Sequence, residues 1–284
     1  MKEFRSEFSV KKMAKALEVS RSGYYVWDGR SPSRQALAKM RLMAEVKAVF
    51  EANGAIYGSV KVTEELEKRG FTCRRTRVAN LMREQGLRSK VKRKYRVTTD
   101  SRHSYPVAPN ILNREFTTSS PNRVWVSDIT YLQSRSGWLY LTVFLDLFSR
   151  LVVGWCVSTS LGHEMVLRAL SQAIGRRRPS AGLLIHSDRG VQYCCEGFRE
   201  VVSQHEFIQS MSRKGNCWDN AVAESFFRTL KTELIYHVDL VDEDHARQVL
   251  FEYIESFYNS RRLHATLDYV SPFEYESSAM AKCA

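Results

Sequence analysis

Three carboxylates in the second half of the chain have neighbours that suit phosphoryl transfer. They are Asp128 in Val126-Ser127-Asp128-Ile129-Thr130, Asp188 in His186-Ser187-Asp188-Arg189-Gly190, and Glu224 in Ala223-Glu224-Ser225-Phe226-Phe227. Attack on a phosphodiester is slow because nucleophile and target are both negative. Two divalent cations about 3.5–4 Å apart activate the nucleophile and neutralise the leaving oxygen. Mg²⁺ takes oxygen ligands and usually only a few protein carboxylates, so three converging acids meet the requirement. Spacing alone is weak evidence. With 10 Asp and 21 Glu in the chain, about one Asp–Glu pair falls at any chosen separation by chance.

Context carries the reading. Asp128 follows the β-prone run Arg123-Val124-Trp125-Val126, and Asp188 follows Gly182-Leu183-Leu184-Ile185-His186. Acids at the ends of two apolar strands predict a cleft at the strand ends of an α/β sheet. Glu224 lies in a helical stretch, 219–236. At about 100° per residue, Asn220, Glu224, Arg228 and Lys231 share one face. Ala223, Phe227, Leu230 and Leu234 form an adjoining apolar stripe. Asp146 is the competing third carboxylate, and reads better as holding the polar turn 146–150 with Ser149 and Arg150. His186 reads as a packed residue behind Asp188. In the loop 212–220, Arg213, Lys214, Asn216 and Trp218 suit DNA contact. There Trp218 either stacks on an unpaired base or anchors the loop in the core.

These segments resemble the catalytic core of DDE transposases and retroviral integrases, and most closely the downstream-frame (OrfB-type) transposases of bacterial insertion sequences. The resemblance rests on 125–131, Asp146-Leu147-Phe148-Ser149-Arg150, 186–193, 212–221, 224–231, 258–264 and Ser271-Pro272, in family order over nearly the whole chain. It implies a ribonuclease-H-like fold, Mg²⁺ or Mn²⁺ with two ions per site held by Asp128, Asp188 and Glu224, and DNA strand cleavage and transfer. It further implies a phosphate contact for Lys231, DNA or subunit contacts for Arg261 and Arg262, and a homo-oligomer on paired element ends. The resemblance also points to an upstream-frame DNA-binding protein, fused or bound, as a partner.

The elements that must position these residues divide the chain. Its net charge is +12, but residues 1–120 hold 26 Lys and Arg against 12 Asp and Glu, while 121–284 hold 17 against 19. A basic module on a near-neutral body predicts a nucleic-acid-binding arm on a catalytic core. The arm reads as two helix-turn-helix modules. In 1–30, a helix over 9–17 is followed by one capped by Ser20 that offers Arg21 to DNA. In 36–86, a helix over 36–52 has Leu37, Met40, Met43, Ala44 and Val49 as its apolar positions. A second, over 59–69, stops at Gly70. A third opens on Arg74, Arg75 and Arg77 and stops before Gly86. Residues 87–121 read as a basic linker, with Lys92, Arg93 and Lys94 suited to a phosphate backbone and Pro106, Pro109 and Pro121 against a continuous helix.

From 122 to 270 the pattern is that of a mixed sheet with flanking helices, an α/β, ribonuclease-H-like core. Strands over 138–145 and 151–157 form a hairpin, and helices are expected over 163–178, 196–204 and 245–258. Residues 271–284 read as a tail, frayed from Ser277. Composition is globular, at 44% hydrophobic. No apolar run reaches the ~20 residues of a membrane span, and the six cysteines form no Cys-x-x-Cys pair. A reducing, bacterial cytoplasmic setting with nucleoid association is expected. The rival functions are a nuclease of the same fold that only hydrolyses and a DNA-binding repressor with a vestigial core. The intact acid triad argues against the second.

Overall fold

The computed structural model describes residues 1–91, 106–214 and 216–283. The chain divides into two compact units, Met1–Arg88 and Ser89–Ala284. No helix among the described residues is long and apolar enough to cross a membrane.

The first unit is all helical: α1 Val10–Ala16, α2 Arg21–Asp28, α3 Arg34–Ala52, α4 Ser59–Lys68 and α5 Arg75–Glu84. Ser9, Ser20 and Ser33 cap the first three by accepting from the backbone N–H three residues on. Gly70 and Gly86 take positive φ just past α4 and α5, the conformation that suits glycine beyond a helix end. The expected apolar face of α3 needs correction. Leu37 and Met40 are exposed, and the buried positions are Leu42, Val46, Val49 and Phe50. That set recurs at i, i+4, i+7 and i+8 toward the C-terminal end of the helix, which packs on α4 and α5.

The second unit contains one five-stranded sheet in the order β3-β2-β1-β4-β5, from β1 Val124–Ser134, β2 Gly137–Asp146, β3 Val152–Ser158, β4 Leu184–Ser187 and β5 Ile208–Met211. β1, β2 and β3 pair antiparallel, and β4 and β5 run parallel to β1. This is the expected ribonuclease-H-like arrangement. One face packs Val126, Leu139, Leu141 and Val143 with α9 Ala221–Glu233, α10 Glu243–Phe251 and the π-helical continuation Glu252–Asn259. The other packs Trp125, Phe144 and Val153 with α6 His163–Arg177, α7 Val191–Cys194 and α8 Glu196–Gln204. α6 approaches β3 closely at Gly154, where a Cβ would stand 2.3 Å from the Ala169 carbonyl oxygen.

Two expectations about the ends of this unit are overturned. Residues 106–121 do not hang free as linker. Leu112 is core, Met211 N donates to Pro109 O, and Ile111 N and Leu112 N both donate to Ser210 Oγ. The tail is helix α11, Pro272–Cys283. Ser271 Oγ accepts from Glu274 N, Pro272 occupies the first turn where its missing N–H costs nothing, and Glu276 is buried against Ser149 and Arg177. Asp146 holds its turn as expected, accepting from Asn122 N and Phe148 N while fully buried. Asn259 meets the outer strand β3 with both ends of its carboxamide, accepting from Val152 N at 2.9 Å and donating to Val152 O at 3.0 Å.

Candidate active site

Asp128 is not at the end of a strand. It is the fifth residue of β1, paired across to Val143. The expectation fails on one side of β1 only. Parallel pairing with β4 runs from Val124↔Leu184 to Val126↔His186 and stops. Asp128 and Asp188 each lie two residues beyond that last pair, at matched register where the two strands part. Alternation puts Asp128 on the same face as Val126, the face covered by α9.

Glu224 enters from the first turn of α9, exposed, while Ala223, Phe226, Phe227 and Leu230 hold that helix on the sheet. Asn220 does not share Glu224's open face. It is buried and donates from Nδ2 to Ser127 O at 3.0 Å, tying the start of α9 to the residue before Asp128. Asp188 Oδ1 accepts from Gly190 N at 2.9 Å. A Cβ on Gly190 would stand 3.0 Å from that oxygen, so glycine keeps the carboxylate free to approach the backbone.

The acids feel one another. Burial pushes the Asp128 carboxyl well above its usual range, and the fields of Asp188 and Glu224 add to it. The Ile129 N–H at 2.8 Å and the Lys231 ammonium pull the other way. Although its side chain reaches solvent, partial desolvation against the sheet also raises Glu224, opposed by Arg228. Lys231 is half-buried; burial lowers its pKa and Asp128 raises it. Behind the aspartates the buried Tyr193 hydroxyl bonds Ser127 Oγ at 2.8 Å, its pKa raised by burial and then by Asp188 and Asp128. His186 is packed, as expected, with Nδ1 and Nε2 on Ser210 Oγ and Ser212 Oγ. Burial lowers its pKa to about 4, so the ring is neutral near pH 7.

No three acids, histidines or cysteines among the described residues form a ready-made metal cluster. The donor set nevertheless fits a hard divalent cation: it is all carboxylate oxygen, and its members repel one another without a counter-charge.

The basic candidates sort themselves. Trp218 is 69% exposed and anchors no core. Lys214, in the same loop, and Arg228, on α9, are exposed. Asn216 is half-buried, with Oδ1 lacking a hydrogen-bond partner. Arg21, Arg74, Arg75 and Arg77 are exposed at the starts of α2 and α5. Lys92, Arg93 and Lys94 lie outside the described residues.

Two arginines are corrected. Arg262 is buried, with Nε and Nη2 donating to both oxygens of Glu233 at 2.8 and 2.7 Å, which leaves no fork for DNA. Arg213 spends its fork on Asp219. Arg261 remains exposed, donating to Ser256 O. Asp219 itself escaped the sequence reading; its Asp-Asn pair at a helix start, downstream of Arg213, was the available signal.

Known proteins and families match this chain along nearly its whole length. The Integrase core domain family matches residues 118–217, a second Integrase core domain family matches 206–272, and the HTH-like domain family matches 38–95. A Shigella sonnei protein, the insertion element IS600 uncharacterized 31 kDa protein, is 43% identical over 92% of this chain and 96% of its own. Transposase InsF for insertion sequence IS3A, from Escherichia coli strain K12, is 38% identical over 98% of this chain and 97% of its own. The HTLV-2 integrase catalytic core domain in complex with magnesium is 17% identical over 56% of this chain and 98% of its own, with a TM-score of 0.43; that overlap is too slight to add to the strand order. Kinship of InsF's depth, along nearly the whole length of both chains, means that this chain belongs to the transposases of IS3-type insertion sequences.

Proposed function

We propose that Asp128, Asp188 and Glu224 are the acids with which this transposase holds divalent metal for DNA strand cleavage and strand transfer. The observation behind the assignment is the matched register at which Asp128 and Asp188 stand just past the last β1–β4 pair, with Glu224 in the first turn of α9, the helix that covers the Asp128 face. Mg²⁺ or Mn²⁺ suits the oxygen donors, and a pair of such ions supplies an activated nucleophile and a neutralised leaving oxygen. The chain's own residues do the rest. Lys231, a point charge on a long stem, holds a phosphate near the scissile bond. Behind the aspartates, neutral His186 ties β4 to β5 and Tyr193 ties α7 to β1.

Trp218, Lys214, Asn216 and Arg228 line the approach of DNA to the site, with Arg261 further along. Arg21, Arg74, Arg75 and Arg77 grip the element ends, and the 92–94 basic run follows the backbone. A second copy of the chain joins it on paired ends, with an upstream-frame DNA-binding protein as a fused or separate partner. No covalent protein–DNA intermediate is required. The test is cleavage and joining of a duplex bearing the element's own terminal repeat, with and without Mg²⁺. Asp188→Asn is expected to abolish both while end binding persists. Near-normal strand transfer by that variant would overturn the assignment.

A further inference from the structure

Glu224 can serve with Asp128 and Asp188 only if the first turn of α9 is fixed in place and in rotation. A shift of one residue along the helix turns a side chain by about 100°. The helix does not fix its own start: Asn220, at its N-cap, makes no side-chain capping bond.

The residue before it does the fixing. Asp219 sits fully buried in the 3₁₀ turn Cys217–Asn220. It accepts from Arg213 N at 2.9 Å, Arg213 Nε at 2.9 Å and Arg213 Nη2 at 2.8 Å. It also accepts from Asn110 Nδ2 at 2.9 Å and Arg114 Nε at 2.8 Å. Three separate stretches therefore meet on one carboxylate: the 106–121 segment, the loop after β5, and the mouth of α9. The neighbouring Asn220 reaches the other way, to Ser127 O beside Asp128. Adjacent side chains thus clamp the start of α9 from two directions.

We propose that Asp219 is a positioning residue for Glu224, setting the start of α9 through Arg114 and Arg213 and so the placement of Glu224 against the two aspartates. The proposal rests on the metal-holding reading of Glu224. It is separable from a plain stability role because α9 has an apolar face of its own on the sheet. Ala223, Phe226, Phe227 and Leu230 lie in the core cluster, whereas the clamp acts on the first turn alone. Loss of the clamp is expected to loosen the acid more than the fold.

Mn²⁺ binding by the full-length chain, read from the free-ion electron paramagnetic resonance signal, separates these roles. Urea melts of each variant report the fold. Glu224→Gln and Asp219→Asn are each expected to weaken Mn²⁺ binding about 10-fold or more, the usual scale for residues that orient a metal ligand. Arg114→Ala is expected to weaken it less, and Arg114→Lys to recover part of the loss. If Asp219→Asn fails to fold, Arg114→Ala carries the test, since the Arg114 side chain is 43% exposed. Wild-type Mn²⁺ affinity in Arg114→Ala and in any folded Asp219→Asn, beside a weakened Glu224→Gln, overturns the positioning role alone. Unchanged binding in Glu224→Gln removes the metal reading of Glu224, and the proposal falls with it.

Discussion

Glu224 and Glu233 ride the same helix, α9, nine residues apart. Nine steps of about 100° bring them half a turn out of phase. Glu224 emerges on the open side, within the field of Asp128. Glu233 is buried, with both oxygens on Arg262 and one also accepting from Tyr253 Oη at 2.7 Å. Asp219 and Glu276 follow Glu233's pattern, facing Arg213 and Arg114 in one case and Arg177 in the other. Asp128 follows the opposite one: the charges nearest it are chiefly other carboxylates. Residue type does not separate these groups, and burial alone does not either. Local charge balance does. A carboxylate matched by guanidinium forks is a fastener, because breaking the match strands a charge out of water. A carboxylate set among its own kind is held there by the fold against repulsion, and its place makes sense as a seat for cations.

Four substitutions sharpen or break that distinction. Asp128→Asn is expected to lower cleavage and joining about 10³-fold while leaving the urea midpoint unchanged or raised, since it relieves repulsion. A destabilised but active variant would move Asp128 to the fastener class. Arg262→Ala leaves Glu233 buried and uncompensated, and should cost about 3–5 kcal/mol in urea unfolding. Loss of DNA affinity at unchanged stability would return Arg262 to the DNA-contacting set. Gly190→Ala places a methyl 3.0 Å from Asp188 Oδ1 and from Gln192 Oε1. It should slow cleavage about 10-fold through misplacement with a change in stability of roughly 1 kcal/mol or less. Arg75→Ala, on an exposed helix start, should reduce the slope of log binding constant against log salt by about 1. Melting should not change, and an unaltered slope would make that residue surface charge and nothing more.

Much of the body was legible because its signals are local. The strand–helix alternation, the glycines after α4 and α5 and the Ser20 cap are each written within a few residues. The apolar runs before Asp128 and Asp188 were legible as strands. What failed was non-local. Nothing near Asp128 announces that β1 continues to Ser134, because the cue is where pairing with β4 ends. Arg262 looks like a DNA-facing arginine beside Arg261, yet its fate is set by Glu233, which is 29 residues upstream. Ser277-Ser278-Ala279 reads as a fraying end, but Glu276 just before it is held by Arg177 and Ser149 from across the body. Residues 106–121 read as linker from their prolines, while their docking depends on a serine on β5 and an aspartate before α9.

The carboxamide of Asn259 against Val152 has a meaning apart from chemistry on DNA. β3 is an outer strand, and a strand with unmatched N–H and C=O groups is a template on which another chain can add its own. Asn259 answers both groups of Val152 with one side chain, imitating a single residue of a sixth strand and ending the sheet there. On the opposite margin, Pro109 answers the N–H of Met211. Both outer strands therefore carry a stop, and copies of the chain are hindered from joining edge to edge through their sheets.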